Sequence, residues 1–169
     1  MAQTEEQTYE LIQIKSNFEI RYYPPVMMAE YNSQGGSSSG FGLLFRYISG
    51  SNASETKINM TTPVHMEKHD EGNTMAFVLP KKFNLENTPI PKENKVSVYQ
   101  AQGGYYASIL YSGFTNTSKE KKYTAVLIQN LKEEGIKITG SPRVLVYDAP
   151  YKFINRRNEV LIPILWTSR

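Results

Sequence analysis

"TNTSKEKKYTAVLIQNLKEEG", residues 115–135, reads as the strongest helix of the chain. Thr117 and Glu120 stand three apart as a capping box, in which each side chain satisfies a backbone N–H that the first turn leaves open. Tyr123, Leu127 and Leu131 follow at four-residue spacing and form an apolar stripe. Gly135 supplies the stop, because glycine adopts the left-handed conformation that ends helices without a Cβ clash. A stripe of this kind needs a surface to cover, and the flanking sequence offers one. "KVSVYQA" (95–101) and "YYASILYS" (105–112) precede the helix, and "RVLVYD" (143–148) and "NEVLIPILW" (158–166) follow it, all with strand character.

Upstream, the same order of elements recurs. "VMMAEYN" (26–32) reads as a strand, and "FGLLFRYISG" (41–50) as a helix with Phe41, Leu44, Phe45 and Ile48 on one apolar face. Ser37 to Ser39 are its N-cap candidates and Gly50 its stop. "KINMTTPVHM" (57–66) and "TMAFVLP" (74–80) read as two further strands joined through "HDEGN". "TYELIQIK" and "FEIRYYP" form an N-terminal hairpin turning at Ser16-Asn17. Strand–helix–strand–strand thus occurs twice, over about 26–80 and 104–166, with a Pro- and Asn-rich connector at 81–95. The expectation is one domain over 1–169, an α+β fold of two pseudo-symmetric repeats whose sheet curves around as a distorted β-barrel flanked by two helices.

Composition narrows the function. Length is sufficient for a core without staples, and the absence of cysteine excludes disulfides, thiolate metal sites and a thiol nucleophile. Nineteen basic against sixteen acidic residues, scattered along the chain, give no nucleic-acid footprint. No signal peptide or membrane-spanning run is visible, so the expectation is a cytoplasmic protein without a membrane span.

Three motifs carry possible chemistry. His65 falls on the polar side of "KINMTTPVHMEK", opposite Ile58, Met60, Val64 and Met66, and reads as a solvated strand histidine. His69 lies about 13 Å further along at strand rise, too far to share a zinc, and no metal site is expected. "GSSSG" (36–40) matches a nucleophile elbow at Ser38, but no aspartate and only Glu55 and Glu67 stand between it and the histidines, and 169 residues is small for that fold, so a loop and helix cap explains the serines better. Glu159 opens an apolar strand after "YDAPYKFINRR", where an ionised carboxylate must be paired or exposed. An ion pair with Arg156 or Arg157 is the plainer reading, and a tuned acid or base in a barrel the functional one. No other catalytic residue is read from the sequence.

Taken together, "YELIQIKSNFEIRYYPP", "FRYISGSN", "KINMTTPVHM", "MAFVLP" and "YDAPYKFINRRNEVLIPI" resemble the SOUL haem-binding protein family from about Tyr9 to Ile164. The resemblance implies a distorted barrel of two similar halves. It also implies binding of haem or related tetrapyrroles in a surface cleft lined by the first helix and a late loop. Carried over by position, Phe41, Leu44 and Phe45 form its apolar wall, and Arg46 and Lys152 face the propionates. No axial ligand is carried over, because "FEIRYYPPVMM" offers only tyrosines and methionines there. Haem or porphyrin held at modest affinity by apolar and propionate contacts, as in a buffer or carrier, is therefore expected. The alternative is a GyrI-like small-molecule hydrolase or effector-binding domain using Glu159.

Overall fold

A computed structural model describes residues 3–34, 40–149 and 151–167, and it divides into two compact units, Met1–Gln7 with Pro25–Gln102 and Thr8–Pro24 with Gly103–Arg169. In chain order the described elements are β1 (Glu5–Glu6), β2 (Glu10–Ile14), β3 (Glu19–Tyr23), β4 (Val26–Gln34) and α1 (Gly40–Ile48). Then come β5 (Thr61–Thr62), β6 (Val64–His69), β7 (Gly72–Val78), β8 (Val96–Ala101) and β9 (Gly104–Ser112). α2 (Thr117–Glu133), β10 (Arg143–Val146) and β11 (Arg157–Pro163) complete the chain. The α+β class expected from the sequence is observed, and each unit sets one helix against antiparallel strands.

In the first unit the strands run β6-β7-β4-β8, with β4 paired to β7 through Met28↔Val78 and to β8 through Met28↔Tyr99. The period of two sends Met27, Ala29 and Tyr31 to one face, where they meet Leu44, Tyr47 and Ile48 of α1 together with Phe77, Leu79 and Val96. Met28 packs with Ala76 and Val78 in a second cluster. The buried positions of α1 are Gly40, Leu44, Tyr47 and Ile48, so the face differs from the expected one: Phe41 and Phe45 are about half exposed, at 46% and 49%. Gly40 explains the rotation. A Cβ there would stand 2.7 Å from the Tyr31 ring, so only glycine lets this turn of α1 press onto β4. The Tyr47 hydroxyl donates to the Pro89 carbonyl at 2.7 Å, which ties the helix to the connector. Burial pushes that phenol up to about 12 and keeps it a neutral donor.

The expected strand over 57–66 is interrupted. Pro63 has no N–H to give to a ladder, and it separates β5 from β6. β5 pairs in parallel with β1 (Glu5↔Thr61), a contact too short to leave a sequence signal.

In the second unit the order is β2-β3-β9-β11-β10, all antiparallel. The Ser16-Asn17 turn is present, closed by the Lys15 N–H donating to the Phe18 carbonyl at 2.8 Å. α2 lies over β9 and β11, with Leu127 and Leu131 fully buried and the Tyr123 ring stacked on Tyr111 at 4.6 Å. Its N-cap is Asn116, one residue earlier than expected: the Asn116 side chain accepts from the Lys119 N–H at 2.9 Å. Glu120 accepts from the Thr115 hydroxyl (3.2 Å). Gly135 stops the helix at φ 68°, as its position after the stripe implied. The cap candidates Ser37–Ser39 and the elbow serine Ser38 lie outside the described residues.

Candidate functional site

α1 carries four of the residues singled out from the sequence. Leu44 points inward and is fully buried, fixing the helix on β4. Phe41 and Phe45 sit one turn apart on the outer side, with ring centroids 6.0 Å apart and planes only 13° from parallel. Phe41 is seated edge-on against Phe77 at 5.4 Å, so the inner rim of this pair is fixed while its outer faces meet solvent. Arg46, the next residue, is exposed. The result is an apolar shelf with a cation beside it.

Lys152 belongs to the second unit, in the segment between β10 and β11. Its ammonium donates to Asp148 at 2.6 Å. Burial opposes the charge on Asp148, but the Lys152 ammonium and the Arg157 backbone N–H (2.5 Å) outweigh it and hold that carboxyl below its usual range. Lys152 is therefore a committed cation. The same segment leaves Tyr151, Phe153 and Ile154 largely exposed.

Glu159 is 1% exposed and is the hub of a charged network inside the second unit. Arg21, itself buried, grips it bidentately, Nη1 to Oε1 at 2.8 Å and Nη2 to Oε2 at 2.7 Å. The Tyr147 hydroxyl adds a bond to Oε1 at 2.8 Å, and Arg157 Nη2 approaches Oε2 at 3.3 Å. Arg21 also donates to Glu19 (2.8 Å) and to the Tyr23 hydroxyl (3.0 Å), and lies 4.0 Å over the Tyr9 ring. The expected pair with Arg157 is thus present but secondary. The expected pair with Arg156 is not among these bonds: that guanidinium turns to the carbonyls of Ala149 (2.6 Å) and Lys152 (2.8 Å) and covers the Phe114 ring.

Arg21 was invisible to local sequence reasoning because 138 residues separate it from Glu159. The available signal was a charge in the middle of the strand "FEIRYYP", which demands a buried counter-ion once both faces are covered. Burial by itself would raise the Glu159 carboxyl, but the bonds and charge of Arg21 prevail and it is held below the usual range. Burial also pushes the phenols of Tyr23 and Tyr147 well up, so both remain neutral. A carboxylate fixed as an anion in this way is poorly placed to donate a proton, and its lone pairs are already engaged.

His65 is buried at 5%, against the expectation of a solvated residue. The cause is the N-terminal segment: Gln7 donates its backbone N–H to the Thr62 carbonyl (2.8 Å), and its Oε1 lies 2.8 Å from His65 Nε2. His69 Nε2 lies 2.9 Å from the Thr74 hydroxyl. Both histidines stand on β6, and neither is on α1. Among the described residues no three His, Cys, Asp or Glu side chains converge as a metal site, and no helix is long and apolar enough to cross a membrane.

Comparison with known proteins adds the context for this geometry. A family model described as "SOUL heme-binding protein" matches residues 4–163. Heme-binding protein 2 of Homo sapiens is 26% identical over 157 residues, covering 85% of this chain and 76% of that protein. Among solved structures, the EcmrR C-terminal domain aligns with a TM-score of 0.66 at 11% identity, over 94% of this chain and 99% of that one. A hydrolase from Listeria innocua aligns with a TM-score of 0.63 at 11% identity, over 89% and 93%. At such identities the two structures are alike in fold alone.

Proposed function

The chain belongs to the SOUL haem-binding family, and from that premise we propose that it binds haem or a related tetrapyrrole on the outer side of α1, as a buffer or carrier and without strong axial ligation. The observation that carries this reading is the near-parallel Phe41–Phe45 pair beside an exposed arginine. A porphyrin offers a wide flat apolar face, and covering two half-exposed rings is favourable by about 25 cal/mol per Å² removed from water. Its propionates match the planar fork of Arg46, which binds carboxylates bidentately. Leu44 acts from beneath, by fixing the helix that presents the rings. Lys152, the other cation of the family pattern, already serves Asp148, and the reading rests on α1 alone.

The outer side of α1 fits the macrocycle and a carboxylate but presents no iron ligand: Tyr47, the residue of this helix whose type can bind iron, is buried on the inner side and donates its hydroxyl to Pro89. Haem supplies its iron when bound, and this chain contributes apolar cover and charge. Affinity is therefore expected in the micromolar range, with hemin and metal-free protoporphyrin within about tenfold of each other. Titration followed by Soret absorbance for the one and fluorescence for the other measures both. Replacing Phe41 and Phe45 together by alanine is expected to weaken each ligand by about tenfold to a hundredfold. Arg46→Glu is expected to weaken both by about fivefold to tenfold, because it sets like charges against each other. Unaltered affinity in the double alanine variant, with an unchanged circular dichroism spectrum, would remove the basis of the proposal.

A further inference from the structure

Each unit repeats one order of strands, and the two differ at one place. In chain order β4, α1, β6 and β7 of the first unit match β9, α2, β10 and β11 of the second, and the strands run β6-β7-β4-β8 and β10-β11-β9-β3. β8 and β3 thus hold equivalent positions. β3 is covered by one more strand, β2, paired to it from Glu10↔Tyr22 to Ile14↔Glu19. β8 has no such cover: among the described residues it is the last strand of its sheet, paired to β4 alone. An edge strand turns the N–H and C=O groups of alternate residues outward without a ladder partner, and chains blunt such edges with charges, proline or a bulge. The outer strand of the second unit shows two of these devices. β2 carries Glu10, and its register with β3 slips between Leu11 and Gln13. β8, "VSVYQA", shows none. Its six residues keep unbroken register with β4, from Val26↔Ala101 to Tyr31↔Val96, and contain no charge and no proline.

We propose that β8 is an interaction edge whose occupant is β8 of a second copy of this chain, antiparallel to it across a two-fold axis. The equivalent position in the second unit is filled by an antiparallel strand, β2 on β3, so the repeat itself shows what this edge accepts. An uncharged strand lies beside its own copy without setting like charges opposite each other, and Lys95, just before it, falls at opposite ends of the pair. Two-fold pairing also covers both β8 edges at once. Pairing β8 with the β2 edge of another copy would leave an edge open at each end, and the slip in β2 breaks the register it would need. The side chains agree with the two-fold arrangement. Val96 and Val98 pack on the α1 side of the sheet, and Tyr99 and Ala101 pack with Met28, Ala76 and Val78. Both faces therefore stay apolar across the junction, and the half-buried Val98 and Tyr99 at the middle of the strand gain cover. The contact is a single strand wide, which places it at the low end of interface size and makes the dimer a weak, exchanging one.

The test needs no tetrapyrrole. Sedimentation velocity of the full chain over a concentration series is expected to show a monomer–dimer equilibrium, half dimer at roughly 10–500 µM. Amide hydrogen exchange locates the contact: between the dilute and the concentrated ends of the series, exchange over residues 96–101 should slow by about fivefold or more, with β2 unchanged. Ser97 and Gln100 are exposed, so replacing both by lysine should leave the circular dichroism spectrum intact. The double variant is expected to raise the dissociation constant by about tenfold or more, because lysine on an edge resists being covered. Gln13→Lys, on β2, should leave it unchanged. A parent chain that stays monomeric to about 1 mM, protection that gathers away from β8, or a dimer that forms equally well in the folded double-lysine variant would overturn the assignment.

Discussion

Replacing Arg21 by alanine is expected to lower the unfolding free energy by about 3–5 kcal/mol, the cost of leaving a buried carboxylate without its counter-ion. The magnitude follows from the geometry. Glu159 is almost wholly buried and receives two of its bonds from Arg21, and Arg157, with a longer contact and a third of its side chain in solvent, cannot replace them. Urea denaturation measures the loss directly, and thermal unfolding would show a fall of about 10 °C or more for a chain of this size. The acid limb of the stability profile should change as well. In the parent the Glu159 carboxyl is held below its usual range, so its contribution is fully present above the unfolded value near 4.3 and is lost as pH falls through the folded value. In Arg21→Ala burial acts without that opposition and raises the carboxyl, so the variant should lose less stability than the parent on going from pH 6 to pH 3. A double replacement, Arg21→Met with Glu159→Leu, should recover most of the deficit, because an apolar pair leaves no charge stranded. A loss below about 1 kcal/mol in Arg21→Ala would show that the network is surface-like in energy.

Leu44→Ala is expected to cost about 2–5 kcal/mol, again by urea denaturation, because the side chain is fully enclosed by β4 and its neighbours and the void cannot be filled by solvent. The informative part is its contrast with the phenylalanines next to it. Phe41→Ala and Phe45→Ala remove half-exposed rings and should cost about 1–2 kcal/mol each, yet weaken tetrapyrrole binding. Leu44→Ala should do the reverse, lowering stability while hemin affinity stays within about threefold under conditions where the variant is folded. Adjacent positions on one helix are thereby separated into those that hold α1 and those that present a surface.

The fold was legible where the period of the sequence matched a surface to cover. The stripe Tyr123, Leu127, Leu131 and the stop at Gly135 placed α2 almost to the residue, and the alternation in "VMMAEYN" placed β4. Legibility ended where a neighbour distant in sequence decides the outcome. α1 admits two apolar faces at helical spacing, one through Phe41 and Phe45 and one through Gly40, Leu44, Tyr47 and Ile48. The close approach of Gly40 to Tyr31 selects the second, and that approach is a tertiary fact. His65 alternates as a solvent-facing residue should, but Gln7 comes to lie on it. Glu159 was recognisable as a charge in need of a partner, but its sequence neighbours Arg156 and Arg157 were the candidates, and Arg21 enters only with the register of β3, β9 and β11. Asn116 against Thr117 as the cap is a different kind of miss: both are good caps, and the choice is one residue of phase.

The residues proposed for tetrapyrrole binding were found by resemblance, and the structure shows what surrounds each of them: Leu44 packs inward, Phe41 and Phe45 stack outward, Arg46 faces solvent and Lys152 holds Asp148.

Paramagnetic mapping with hemin tests the α1 reading most directly. Ferric iron broadens amide signals within roughly two turns of helix, and gallium protoporphyrin serves as the diamagnetic reference. Selective broadening is expected over residues 41–48, with the signals of His65 and His69 shifted little. Broadening centred on β6, with a low-spin absorbance spectrum of the kind histidine ligation produces, would contradict it.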